Sequence, residues 1–113
     1  MSPITTHVLD TALGRPAAGV PIQLDILDLG AWQELARGAT DADGRLRGML
    51  PDDLTLAPGL YRITFDTGAY FDSLSIRGFY PYVSIVFEIL HSDQLYHVPL
   101  LISPYGYSTY RGS

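Results

Sequence analysis

The chain has 113 residues, the size of one domain, and its seven basic side chains against twelve acidic ones leave a net charge of −5 at pH 7. Every basic residue is Arg and there is no Cys, which excludes a disulfide scaffold, a cysteine nucleophile and a thiolate metal site. The acidic balance suits a nucleic-acid backbone poorly, and no apolar run approaches the roughly 20 residues of a membrane-spanning helix.

Period-two alternation dominates from the start. Ile4, Thr6 and Val8 alternate with Thr5, His7 and Leu9, the pattern of a half-buried strand. After a break at Gly14-Arg15-Pro16, Val20, Ile22, Leu24 and Ile26 share one face and Pro21, Gln23 and Asp25 the other. Leu29-Gly30 separates this strand from Trp32 to Ala36. Asp43-Gly44 reads as a hairpin turn, with Arg45 to Met49 as the returning strand.

Pro51-Asp52-Asp53 and Pro58-Gly59 mark loops before a strand with Tyr61, Ile63 and Phe65 on its apolar face. One short helix follows, with Thr67 as its cap, Tyr70, Phe71 and Leu74 at helical spacing, and Gly78 and Pro81 as its stop. Val83, Ile85, Phe87 and Ile89 line another strand, and Tyr96 to Ile102 and Tyr105 to Arg111 form the last two. About seven or eight short strands with one helix predict an all-β antiparallel β-sandwich, with residues 1–113 as a single domain. The final strand carries no charge until Arg111, so its edge is either open to pairing with another strand or covered. The opening residues show no basic region and no apolar signal stretch. The expected compartment is the cytoplasm, or the periplasm if a leader has been removed.

Three His offer proton chemistry near neutral pH. His7 and His97 sit mid-strand, whereas His91 precedes Ser92-Asp93 and reads as a turn residue. A strand His is ordinarily a half-exposed surface group, and an Arg after a turn, such as Arg45, is ordinarily solvated. Two strand His with an Arg nearby would be a different matter. Asp41-x-Asp43-Gly44 faintly echoes a calcium loop, but Asp52 stands where the bidentate Glu belongs. The two His lack a third ligand at diagnostic spacing, so neither a metal nor a cofactor is expected. The end of the chain, Tyr105 to Ser113, is rich in Tyr, hydroxyl and Arg residues. That composition suggests an end held in place at an interface or pocket.

The residues support a more specific statement. Tyr110-Arg111-Gly112-Ser113, and His97-Val98-Pro99-Leu100-Leu101-Ile102-Ser103-Pro104-Tyr105-Gly106-Tyr107-Ser108-Thr109 ahead of it, resemble the terminal signature of the 5-hydroxyisourate hydrolases, or transthyretin-related proteins. Thr6-His7-Val8-Leu9-Asp10, with Gly14-Arg15-Pro16-Ala17 and Gly19-Val20-Pro21, is similar to that family's N-terminal signature. Thr40-Asp41-x-Asp43-Gly44-Arg45 is similar to the turn that carries its arginine. The resemblance implies a transthyretin-like sandwich of two four-stranded sheets with a short helix. It also implies a homotetramer, a dimer of dimers, with active sites in clefts at the dimer–dimer interface.

By the same resemblance the catalytic set is His7, Arg45, His97 and Ser113, and substrate contacts fall to Arg45, Tyr110, Arg111 and Ser113. The implied reaction hydrolyses a ring amide of 5-hydroxyisourate, in urate catabolism, to 2-oxo-4-hydroxy-4-carboxy-5-ureidoimidazoline. Water attacks the ring carbonyl directly, with His97 as the preferred base, His7 as its partner, Arg45 holding the planar anionic ring and Ser113 adding a hydroxyl. Two other readings remain. One is a transthyretin-like small-molecule carrier without catalysis, though such carriers lack this His, Arg, His and Tyr-Arg-Gly-Ser combination. The other is a purely structural sandwich that pairs through its edges.

Overall fold

The computed structural model describes residues 2–113. In chain order its elements are β1 (Ile4–Asp10), β2 (Arg15–Pro16), β3 (Pro21–Asp28), β4 (Ala31–Ala39), β5 (Arg45–Leu46), β6 (Gly59–Phe65), α1 (Thr67–Ser73), β7 (Val83–Ile89), β8 (Tyr96–Ser103) and β9 (Gly106–Thr109). One sheet runs β2-β1-β8-β9, with β5 also paired to β1, and the other runs β4-β3-β6-β7.

The alternation of the sequence becomes the two faces of each sheet. Ile4, Val8, Tyr96, Val98, Leu100 and Ile102 point inward from the first sheet; Ile22, Leu24, Tyr61, Ile63, Phe65, Val83 and Ile89 meet them from the second. Burying this set supplies the main driving force for the fold, at about 25 cal/mol per Å² of apolar surface. It also fixes the register, because a one-residue slip would turn every core side chain outward.

Several details depart from expectation. The sheets are not purely antiparallel: β1 and β8 run parallel, from Ile4↔Tyr96 to Asp10↔Ile102. β5 is only two residues long, and it pairs with β1 rather than returning along β4. The turn before it is present, with Gly44 at φ +76°, but it rests on β1. The Val8 N–H donates to the Gly44 carbonyl at 2.7 Å, and a Cβ on Gly44 would lie 2.3 Å from the Val8 carbonyl oxygen. The turn therefore carries the chain from one sheet to the other.

The helix is capped by Asp66 rather than Thr67, through an Oδ1 that accepts the Ala69 N–H at 3.0 Å. Thr67 is instead the buried first residue of the helix. Its end comes well before Gly78, at Ser73, with Ser75 at φ +57°.

Asp25 lies on the outer face as its alternation predicts, yet it is buried. Arg62 covers it, donating from Nε at 3.2 Å and Nη2 at 3.0 Å while stacking 4.5 Å from the Trp32 ring centroid. A second buried carboxylate, Asp10, accepts the Tyr70 hydroxyl at 2.7 Å and the Ala12 and Leu13 N–H groups at 3.0 Å. Burial, then Asp10, pushes the Tyr70 hydroxyl up to about 12. This pair fastens the helix to the end of β1. Among the described residues no helix is long and apolar enough to cross a membrane.

Candidate active site

The parallel ladder between β1 and β8 gathers the two strand histidines. Thr5 stands opposite His97 and His7 opposite Pro99. Ile4, Thr6, Val8, Tyr96 and Val98 are buried, so the intervening Thr5, His7 and His97 occupy the outer face. The antiparallel pairing of β5 sets Arg45 opposite His7 on that face.

Local chemistry holds each group. The Asp41 carboxylate accepts the backbone N–H groups of Asp43 at 2.9 Å and Arg45 at 3.0 Å. The bond from Arg45 is the main reason that the Asp41 carboxyl is held below its ordinary range. An Asx turn thus delivers Arg45 to the site. His7 Nε2 lies 2.9 Å from the Asp43 carbonyl oxygen; a carbonyl only accepts, so this nitrogen donates. His97 Nδ1 lies 2.8 Å from the Thr5 hydroxyl.

The end of the chain closes one side, as its composition suggests. The Gly112 N–H donates to the His97 carbonyl at 2.8 Å. Arg111 stacks 4.5 Å from the Tyr96 ring centroid and donates to Gln94 Oε1 at 3.1 Å. Ser113 follows at the rim of a cavity of about 440 Å³, which is also lined by Thr5, Arg45, Arg47, Asp52 and His97.

Three of the four expected catalytic residues, Arg45, His97 and Ser113, therefore share one cavity, and His7 flanks it through its register with Arg45. Tyr110 and Arg111 do not line this cavity. They border a separate one of about 250 Å³ against β7, and Arg111 acts on the site by anchoring the tail. His91 lies apart, its backbone N–H and carbonyl both bonded to the Tyr96 hydroxyl.

Sequence reasoning missed two contributors. Asp41 carried a signal, since Asp before an Asp-Gly turn is an Asx-turn residue. Thr5 carried none beyond its position in a strand.

The electrostatics favour a neutral imidazole at His97. Burial lowers its pKa first, the Arg45 and His7 charges lower it further, and a hydrogen bond to the Thr5 backbone raises it. The result is a ring biased toward its neutral form beside a guanidinium, in a hollow large enough for a small heterocycle. Such a set can take a proton from water and stabilise an oxyanion.

The HIUase/Transthyretin family model matches residues 4–112. A 5-hydroxyisourate hydrolase of Mus musculus is 47% identical over 114 residues, covering 99% of this chain and 96% of its own. One from Salmonella typhimurium is 44% identical over 110 residues, covering 97% and 80%. Among solved structures, transthyretin from Sparus aurata superposes with a TM-score of 0.91 at 30% identity, covering 99% of this chain and 97% of its own. The 5-hydroxyisourate hydrolase of Klebsiella pneumoniae gives a TM-score of 0.83 at 36% identity, covering 97% and 98%.

Proposed function

The chain belongs to the HIUase/Transthyretin family, and from that premise we propose that it hydrolyses 5-hydroxyisourate with His7, Arg45, His97 and Ser113 as its working groups. The observation that carries this reading is the convergence of Arg45, His97 and Ser113 on one cavity, with His7 set opposite Arg45.

Water attacks the ring carbonyl and a new C–O bond forms. His97 takes the proton released from that water. Arg45 faces the charge that develops on the carbonyl oxygen, and its fork also suits a planar anion. The ring C–N bond then breaks, and the departing nitrogen takes a proton from the imidazolium. The product is an opened ring bearing a carboxylic acid, which releases its remaining proton to solvent as the carboxylate. His97 thereby returns to its neutral form, and no covalent enzyme intermediate is needed. Ser113 supplies a hydroxyl contact to substrate or water.

The remaining family features accompany this reading. The chain acts as one domain and assembles as a dimer of dimers. A cleft shared between subunits would bring Tyr110 and Arg111 of neighbouring chains toward the substrate. The carrier alternative has the fold in its favour, but a carrier has no need of a neutral imidazole beside a guanidinium.

Freshly generated 5-hydroxyisourate, followed by its near-UV absorbance, decides between them. Decay well above the buffer rate, lost in His97→Ala by at least about 10²-fold in kcat, supports hydrolysis. Decay at the buffer rate with the native protein overturns it in favour of binding alone.

A further inference from the structure

An imidazole works as a base only if the nitrogen facing the water lacks a hydrogen. In a neutral ring that is decided by what the other nitrogen binds. A free neutral histidine prefers to carry its hydrogen on Nε2, which would block the base. The site therefore needs an acceptor at Nδ1 of His97.

We propose that Thr5 is the positioning residue that meets this need: its hydroxyl accepts Nδ1–H of His97 and leaves Nε2 as the proton-accepting atom. The inference rests on the hydrolase reading above and names a residue that acts through the base.

The contact is 2.8 Å between Thr5 Oγ1 and His97 Nδ1, and it is built into the backbone, because the β1–β8 register sets Thr5 opposite His97. Nδ1 is the ring nitrogen that the Thr5 hydroxyl meets, and the backbone of Thr5 also acts on the ring as a hydrogen-bond partner. The ring is also braced at its other edge. A Cβ on Gly112 would lie 2.4 Å from His97 Cδ2 and 3.3 Å from Pro99 Cγ, so the tail packs against the imidazole with no room to spare. The hydroxyl and the tail thus touch the ring on two sides.

His7 is held the opposite way. Its Nε2 donates to the Asp43 carbonyl, leaving Nδ1 as its basic atom. The two imidazoles are thus held through different nitrogens.

Long-range ¹H–¹⁵N spectra of the ring nitrogens in the native full chain, at a pH where His97 is neutral, read the tautomer directly. The expected result is a protonated Nδ1 and a bare Nε2. Thr5→Val should move hydrogen to Nε2 and lower kcat about 10-fold or more, a part of the 10²–10⁴-fold that a general base supplies, with KM changed less than about twofold. Thr5→Ser should restore both the spectrum and kcat.

A purely structural role for Thr5 would alter neither the tautomer nor the split between kcat and KM. An active native protein with hydrogen on Nε2, or a folded Thr5→Val variant with native kcat, overturns the role of Thr5 alone. A native protein with the expected spectrum and no turnover overturns the hydrolase reading instead. If Thr5→Val does not fold, Thr5→Ala takes its place, with the same expected move of hydrogen to Nε2 and the same loss of kcat.

Discussion

His7 and Arg45 face each other across the β1–β5 ladder, and both press on a third group, the His97 imidazole, whose protonation they oppose. On the proposed reading Arg45 has two separable effects: its fork would meet the substrate, and its charge adds to burial in lowering the His97 pKa. Arg45→Lys keeps the charge and loses the fork. It should raise KM or lower kcat, about 10-fold or more in kcat/KM, while the acidic limb of the rate profile stays in place. Arg45→Met loses both and should also shift that limb to higher pH. Steady-state kinetics across pH separate the two variants. Identical limbs in Arg45→Met and the native protein would remove the electrostatic role.

The native pH profile follows from the same arrangement. Burial first, then Arg45 and His7, hold the His97 pKa below the usual 6.5. Activity should fall as the pH drops through that lowered value, at a lower pH than an ordinary imidazole would give. Stability follows with a definite sign. Between the lowered pKa and the ordinary one the unfolded chain binds more protons than the folded one, so stability rises with pH there. It levels off above about 6.5, where His97 is neutral in both states. Chemical denaturation at a series of pH values checks the stability claim, and kcat/KM against pH checks the catalytic one. A rate profile with no acidic limb down to the pH at which the protein unfolds would exclude His97 as the base.

Gly44 is tested by comparison with another glycine. Gly14 has φ +69° and Gly44 has φ +76°, but only Gly44 would place a Cβ against the backbone, 2.3 Å from the Val8 carbonyl oxygen. Gly14→Ala should show strain alone, about 1–3 kcal/mol. Gly44→Ala adds the clash and should be clearly worse, with a loss in thermal midpoint of about 4 °C or more per kcal/mol. It should also lower kcat/KM, because the same turn sets the register of Arg45 against His7. Equal midpoints for the two variants would show that the turn can lift off β1 freely.

The strands were legible in the sequence because each has one wet and one dry face. Ile4–Asp10, Gly59–Phe65 and Val83–Ile89 all announce themselves by alternation. Pairing was not legible, because alternation says which face is buried and nothing about the neighbour. The parallel β1–β8 ladder joins strands more than eighty residues apart. Asp43-Gly44 specified a turn but not the sheet to which the chain returns. The working residues stood out only as parts of motifs. His7, Arg45, His97 and Ser113 are ordinary residue types; the long-range ladder brings Thr5 to His97, whereas Asp41 holds Arg45 through a local turn.

Gly112 gives the sharpest test of how the tail serves the base. Its backbone is not in the left-handed region, so a methyl group there adds no conformational strain; its effect is steric. That methyl would lie 2.4 Å from His97 Cδ2 and 3.1 Å from Cγ, far inside contact distance. Something has to shift, and the partly exposed imidazole is freer to move than the strand that bears it. Gly112→Ala should therefore keep the thermal midpoint within about 2–4 °C, a change worth no more than about 1 kcal/mol. It should lower kcat by about 10²-fold, because the displaced ring loses both the Thr5 hydroxyl and its aim at the water. Deleting Arg111 to Ser113 should also lower kcat, but through the loss of Ser113 and of the wall itself, and so with a larger rise in KM. Native turnover in Gly112→Ala would mean that the tail yields instead of the ring, and that the Gly112 contact does not hold His97 in place.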